Sequence, residues 1–435
     1  MQHPSPGAVP DHRSASWIRS DDAHHAPNSS LLTIHSATAM SRPATPEEFR
    51  VDVAESTLHD LSARLRSTRW PPHDPENESW RYGVNQRFLT EFVQYWLEEY
   101  DWFAVQAEIN ALPNYRVEID GQQVHFVHVR GAGSRRRPLV LTHGYPWSFW
   151  DYRKVIGPLA DPARYGGDPN DAFDVIVPSI PGYVFSTPVR PGITAKATAD
   201  LWVRLVREVL GYDRFLTAGG DWGAVISIML GHTHPDDLTG VYVTLPNFAP
   251  ALRNRFEGFE LEDLEDDERQ WYEQNWRKGP RPGRPIVRRD RNLHAPQTDA
   301  YAGHDSPVAL AVELLDARRR SADLKNGDLY GVFTRQELVT NVMLYWVTES
   351  WSSAKRFYYD TVRDPVRLVP GREPLVPVPT GLGLFPGESF YVPREFIRRD
   401  ANLVHWSPQP AGGHFAACEQ PQLFIDDLRR FARLL

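Results

Sequence analysis

The chain's strongest chemical signal lies in Thr217-Ala-Gly-Gly-Asp-Trp-Gly-Ala-Val225. A short apolar run enters Gly219-Gly220, one polar residue follows, and Trp222-Gly223 opens a helical stretch. Small neighbours tolerate a strained residue held out over a strand end, the strand–turn–helix shape of a nucleophile elbow. The apex residue is Asp221. A carboxylate with an ordinary pKa of about 4 is ionised at neutral pH and attacks without help from a base. It suits an sp³ carbon bearing a leaving group, giving an alkyl ester of the enzyme. An aspartate capping a helix N-terminus is the competing reading of the same residue.

Four further motifs fit around that carboxylate. Leu141-Thr-His-Gly-Tyr-Pro-Trp147 follows another apolar run, where a backbone N–H from Tyr145 can join that of Trp222 in an oxyanion hole. Ala411-Gly-Gly-His-Phe-Ala416 follows the last expected strand, which makes His414 the candidate general base among 16 histidines. Phe385-Pro-Gly-Glu388 ends the strand before it, so Glu388 is the candidate partner that orients the imidazole. In Arg356-Phe-Tyr-Tyr359, at the end of a long helical stretch, Tyr358 can donate a proton to a leaving oxygen. Taken singly, each has a bland counterpart: a tight turn, a structural histidine, a surface glutamate, an aromatic packing residue.

The elements that must carry these residues follow from periodicity. Residues 43–114 read as a helical segment, with Leu58, Leu61 and Leu65 on one stripe and Phe88, Phe92 and Trp96 on another. Arg116–Asp120 and Val124–Val129 flank an Asp-Gly-Gln-Gln turn, a hairpin signal. Short apolar runs at 138–142, 173–177, 215–217 and 241–245 alternate with helical stretches such as Ala195–Leu210, which implies a parallel sheet covered on both faces. Residues 247–365 are helical and densely charged, with Leu338, Val342, Tyr345 and Trp346 on one face. Strand pattern resumes at 380–384 and 402–405, and a helix over 422–435 closes the chain. The layout is a core in two parts, 115–246 and 366–435, with a helical cap between them.

Composition excludes several classes. At 435 residues the chain buries a large core without staples, and its lone cysteine, Cys418, rules out an intrachain disulfide framework or a multi-cysteine metal site. The net charge of −8 argues against a nucleic-acid partner. With 37 prolines, many loops must be stiff. No stretch reaches the ~18–20 apolar residues of a membrane helix. Residues 1–42 are rich in Ser, His, Ala and Pro and read as a disordered leader, with Met40 as an alternative start. A cytoplasmic protein without a membrane anchor is expected, and a homodimer is compatible with the sequence.

Together these motifs resemble the microsomal-type epoxide hydrolases of the α/β-hydrolase superfamily. The likeness extends from Phe49 to the C-terminus through Phe49-Arg-Val-Asp-Val, Thr68-Arg-Trp-Pro, Glu118-Ile-Asp-Gly, Pro178-Ser-Ile-Pro-Gly-Tyr-Val-Phe-Ser186 and Asp305-Ser-Pro-Val308. The resemblance implies an α/β-hydrolase fold and hydrolysis of an epoxide to a vicinal diol. It also implies that Asp221 is the nucleophile, His414 the base, Glu388 its partner and Tyr358 the proton donor, with no metal or cofactor and only the epoxide and water as partners.

Two departures stand out. Trp147 replaces a glycine in the His-Gly-x-Pro motif and is expected, with Phe185, on the substrate wall. The family's second cap tyrosine is missing from Arg291-Asn-Leu-His294, leaving Asn292 as a neutral hydrogen-bond donor and Tyr301 as a substitute. Trp346, Trp351, Phe357 and Tyr359 suggest an apolar or aromatic substrate. The rival readings are a haloalkane dehalogenase, a serine-type esterase, and a family member that binds hydrophobic ligands without turnover.

Overall fold

The computed structural model describes residues 45–435 apart from 73–75, 77–78, 135, 254–257, 277–290, 365 and 390. The expected leader, with Met40, lies outside the described residues. Nine strands form one sheet among them: β1 (Glu47–Glu48), β2 (Asn114–Ile119), β3 (Gln122–Val129), β4 (Arg137–Thr142), β5 (Phe173–Pro178), β6 (Phe215–Gly219), β7 (Leu238–Val243), β8 (Val376–Leu384) and β9 (Ala401–Pro408). Their order across the sheet is β1-β2-β3-β5-β4-β6-β7-β8-β9.

The pairings from β1 to β3 and between β3 and β5 are antiparallel, and the rest are parallel. The hairpin turns on Asp120 and Gly121 alone, both with left-handed φ, 52° and 73°, so it is one tight two-residue turn. Every residue of β5 and β6 is buried, as expected of strands covered on both faces. This is an α/β-hydrolase fold.

The chain leaves β4 for β5 on one side and later crosses to β6 on the other. The loops after β4 and β6 therefore diverge, and a crevice opens at their carboxyl ends. His143–Tyr145 leave β4 there, and Asp221 leaves β6 there.

Helices α1 (Glu55–Arg66), α2 (Gln86–Glu98) and α3 (Trp102–Asn110) precede the hairpin. In α2, Asn85 caps the Phe88 N–H, and Leu89, Phe92, Val93 and Trp96 are buried; Phe92 and Trp96 belong to the stripe read from the sequence, while Phe88 is half-buried. Helices α4 (Arg153–Ala160), α5 (Ala195–Arg204) and α6 (Trp222–Thr233) lie between core strands, and α5 runs on as a wider-turned helix over Leu205–Val209.

Between β7 and β8 come α7 (Phe248–Arg253), α8 (Asp266–Asn275), α9 (Pro296–Asp305), α10 (Pro307–Ser321), α11 (Arg335–Val347) and α12 (Trp351–Arg363), which we refer to as the lid. α13 (Arg394–Asp400), α14 (Ala416–Glu419) and α15 (Pro421–Ala432) complete the chain. The long helix expected to end at Tyr359 is two helices. A Thr334–Glu337 capping box starts α11, and the chain breaks at Thr348–Ser350, where Glu349 has φ 53°. Tyr358 consequently sits inside α12.

The N-terminal helices brace this lid. The Trp96 indole N–H donates to the Met343 sulfur at 3.2 Å, Tyr100 and Thr340 share a hydrogen bond of 3.1 Å, and Arg64 pairs with Asp305 at 2.9 Å. A buried ion pair, Arg318 to Asp151 at 2.5 Å, ties α10 to the loop after β4.

Candidate active site

Asp221 stands at φ 50° and ψ −125°, a backbone conformation that costs a non-glycine residue of order 1–3 kcal/mol. Its glycine neighbours make the bend fit. A Cβ on Gly223 would lie 1.9 Å from the Thr142 carbonyl oxygen, and one on Gly219 would lie 2.6 Å from the Gly223 carbonyl carbon. Gly144 serves from the other loop, since a Cβ there would sit 2.4 Å from the Asp221 Cβ. This third glycine belongs to the His-Gly-x-Pro motif, which by itself does not signal clearance for a carboxylate on another loop.

The carboxylate's two oxygens have different surroundings. Oδ1 accepts the Tyr145 backbone N–H at 2.9 Å. Trp222 is the first residue of α6, where helix N–H groups lack intrahelical acceptors. Oδ2 lies 3.3 Å from His414 Nε2. His414 Nδ1 in turn lies 2.8 Å from Glu388 Oε1, with Glu388 almost wholly buried. Burial disfavours the imidazolium, but the charge of Glu388 and the hydrogen bond to Asp221 outweigh it, and the His414 pKa is held well above its usual value.

Loops after β8 and β9 present this pair. The Gly387 N–H donates to the Gly412 carbonyl at 2.8 Å, so the two loops are stapled together. The loop that carries His414 is also fastened to the lid. His414 N–H donates to the Ser321 carbonyl at 3.1 Å, and Gly412 N–H to Asp323 Oδ2 at 3.0 Å. A Cβ on Gly413 would come within 2.7 Å of the Asp323 nitrogen, which explains the second glycine of the motif.

His143 is structural: its Nδ1 bonds the Gly144 carbonyl, its Nε2 accepts the Ile180 N–H at 3.0 Å, and burial lowers its pKa to about 4.

A cavity of about 520 Å³ opens over the carboxylate, with Asp221, His414, Tyr145, Tyr358 and Asn292 in its wall. The Tyr358 ring stands edge-on to Trp222 at 4.7 Å and to Tyr145 at 5.2 Å.

Other expected positions fall elsewhere. Tyr301 is 66% exposed, its hydroxyl accepts from Gln297, and it does not line the cavity, so it is not placed as a second donor. Trp147 is buried beside His414 and Phe415 rather than on the substrate wall. Phe185 packs into an interior cluster with Phe49, His125 and Phe149.

The aromatic residues expected to favour an apolar substrate are also absent from this wall. Arg64 lies over Trp346, Trp351 stacks behind Tyr145, Phe357 packs on Trp222, and Arg363 covers Tyr359. Polar side chains take their place, among them Asp299, Glu313, Arg320 and Lys355, none singled out from the sequence. The signal for Lys355 was a lone lysine three residues before Tyr358, on the same helix face as Trp351 and Tyr358.

Comparison with known proteins places the whole described chain. The family described as epoxide hydrolase N terminus matches residues 46–152, and the α/β-hydrolase fold family matches residues 137–285. Epoxide hydrolase 1 of Oryctolagus cuniculus is 32% identical over 432 residues, spanning 91% of each chain. Juvenile hormone epoxide hydrolase 2 of Ctenocephalides felis is 30% identical over 400 residues, 87% of this chain and 84% of that one. The solved Aspergillus niger epoxide hydrolase superposes with a TM-score of 0.73 at 26% identity, covering 91% of this chain and 97% of that one. No helix among the described residues is long and apolar enough to cross a membrane. Likeness of this extent, across the N-terminal segment and the core alike, makes the chain a member of the microsomal-type epoxide hydrolases.

Proposed function

We propose that the chain hydrolyses its epoxide through a covalent ester on Asp221. One observation carries this reading: Asp221 Oδ2 lies 3.3 Å from an imidazole that Glu388 holds from behind at 2.8 Å, at the floor of a cavity. Oδ2 attacks the less hindered ring carbon as that carbon's bond to the epoxide oxygen breaks. Tyr358 gives its hydroxyl proton to the departing oxygen. Oδ1, already held by the Tyr145 N–H, becomes the ester carbonyl oxygen.

Esterification removes the Asp221 charge, and with it part of what raises the His414 pKa. The imidazole then turns neutral more readily and takes a proton from water, whose oxygen attacks the ester carbonyl carbon. The N–H groups of Tyr145 and Trp222 receive the oxyanion. Collapse frees the alkoxide, which leaves as diol with the proton from His414, while the other proton of the attacking water passes to the Tyr358 phenolate and leaves Asp221 a carboxylate again.

A single turnover in ¹⁸O-water tests this. The first diol formed should carry unlabelled oxygen taken from Asp221, and Asp221→Asn should lose roughly 10⁴-fold or more in rate. Label appearing directly in that first diol would sink the ester route.

A further inference from the structure

The lid wall holds a buried cation that the mechanism above does not use. Lys355 is 1% exposed and lines the same cavity as Asp221, His414 and Tyr358. It lies one helical turn before Tyr358 on α12, so the two side chains leave the same face as neighbours. Its ammonium donates to Glu313 Oε1 at 2.6 Å and sits 4.8 Å over the Trp351 ring. The same Glu313 oxygen accepts the Tyr145 hydroxyl at 3.2 Å. Tyr145 therefore spans the site, its backbone N–H on Asp221 and its hydroxyl end at the Lys355–Glu313 pair.

An ammonium has three N–H donors, and Glu313 takes one of them. Glu313 keeps 38% of its side chain exposed, so water supports its charge when the lysine turns to another acceptor. A substrate oxygen in the cavity is such an acceptor. During ring opening, negative charge develops on the epoxide oxygen, and a charge-assisted hydrogen bond there is roughly twice as strong as a neutral one. Asn292 lines the cavity too but offers only a neutral amide.

We propose that Lys355 is a catalytic residue that supplies the second hydrogen bond to the epoxide oxygen, beside Tyr358, with Glu313 holding the ammonium in place between turnovers. The step balances without a proton from the lysine. The new bond runs from Asp221 Oδ2 to carbon, the carbon–oxygen bond breaks toward oxygen, the Tyr358 proton goes to that oxygen, and Lys355 keeps all three of its own. This rests on the Asp221 ester reading.

Rapid-quench single turnovers separate alkylation from ester hydrolysis, using whichever of styrene oxide, glycidol and 1,2-epoxyhexane turns over fastest, with the alkylated enzyme seen by intact-protein mass. Lys355→Met should slow alkylation roughly 10²-fold and leave ester hydrolysis within about twofold. Lys355→Gln keeps a neutral donor and should fall between the two, while Asn292→Ala should cost less than Lys355→Met. If Lys355→Met fails to fold, Lys355→Gln decides alone. Alkylation at the wild-type rate in the variant read, or an equal slowing of both steps, overturns the proposal. A wild-type enzyme that never gains the mass of the alkyl adduct overturns the ester reading itself, and this one with it.

Discussion

The floor of the cavity and its lid are built on different principles. The floor is made by backbone: strand ends, a residue at φ 50°, and glycines where a single methyl would collide with a carbonyl. The lid is held by side chains far apart in sequence: Lys355 with Glu313 in the cavity wall, and Arg318 with Asp151 where α10 meets the core. Backbone construction leaves little room for variation, because a clash at 1.9 Å has no rotamer that relieves it. Side-chain construction can be rewired while the fold survives. On the two proposals above, the floor sets the reaction and the lid holds the substrate oxygen.

Substitutions on either side test the contrast, beginning with the largest expected change. Gly144→Ala should lower kcat by 10² or more, since the new methyl meets Asp221 directly and a displacement of about 1 Å can cost that much. Near-wild-type kcat would mean that the floor is softer than described.

Arg318→Met leaves Asp151 buried without its partner and should cost about 3–5 kcal/mol in denaturant unfolding. An unchanged midpoint would remove this pair as a tie between lid and core.

Glu388→Gln removes the largest influence raising the His414 pKa. On the proposed mechanism His414 works as a base when neutral, so a lower pKa moves the acid limb of the kcat profile to lower pH. The maximum should fall about tenfold or more as the imidazolium loses its support. An acid limb that stays put would show that another group governs it. Tyr301→Phe, on the exposed surface, should leave kcat and KM unchanged, and a tenfold loss would return it to the site.

The sequence revealed these two regions unequally, for the same physical reason. Asp221 stood out because a strained elbow demands glycines within a few positions of it, and such demands are local. His414 and Glu388 were found by their place after the last two strands, a consequence of sheet topology. Tyr301 failed because substitution by chemical type says nothing about exposure. Trp147 and Phe185 failed because a large aromatic residue beside a motif is as ready to fill the interior as to line a pocket. Lys355 and Glu313 meet across 42 positions on two different helices, and no periodicity in either helix records the meeting. The join between α11 and α12 was missed because Glu349 adopts a left-handed φ without a glycine to signal it.

The hydrogen bonds from the His414 loop to Ser321 and Asp323 fall at the end of α10 and just beyond it. That end is therefore fixed to the very loop that the proposed mechanism needs aligned for water activation. On the proposed mechanism, any shift of α10 that admits substrate or releases diol would carry the His414 loop with it.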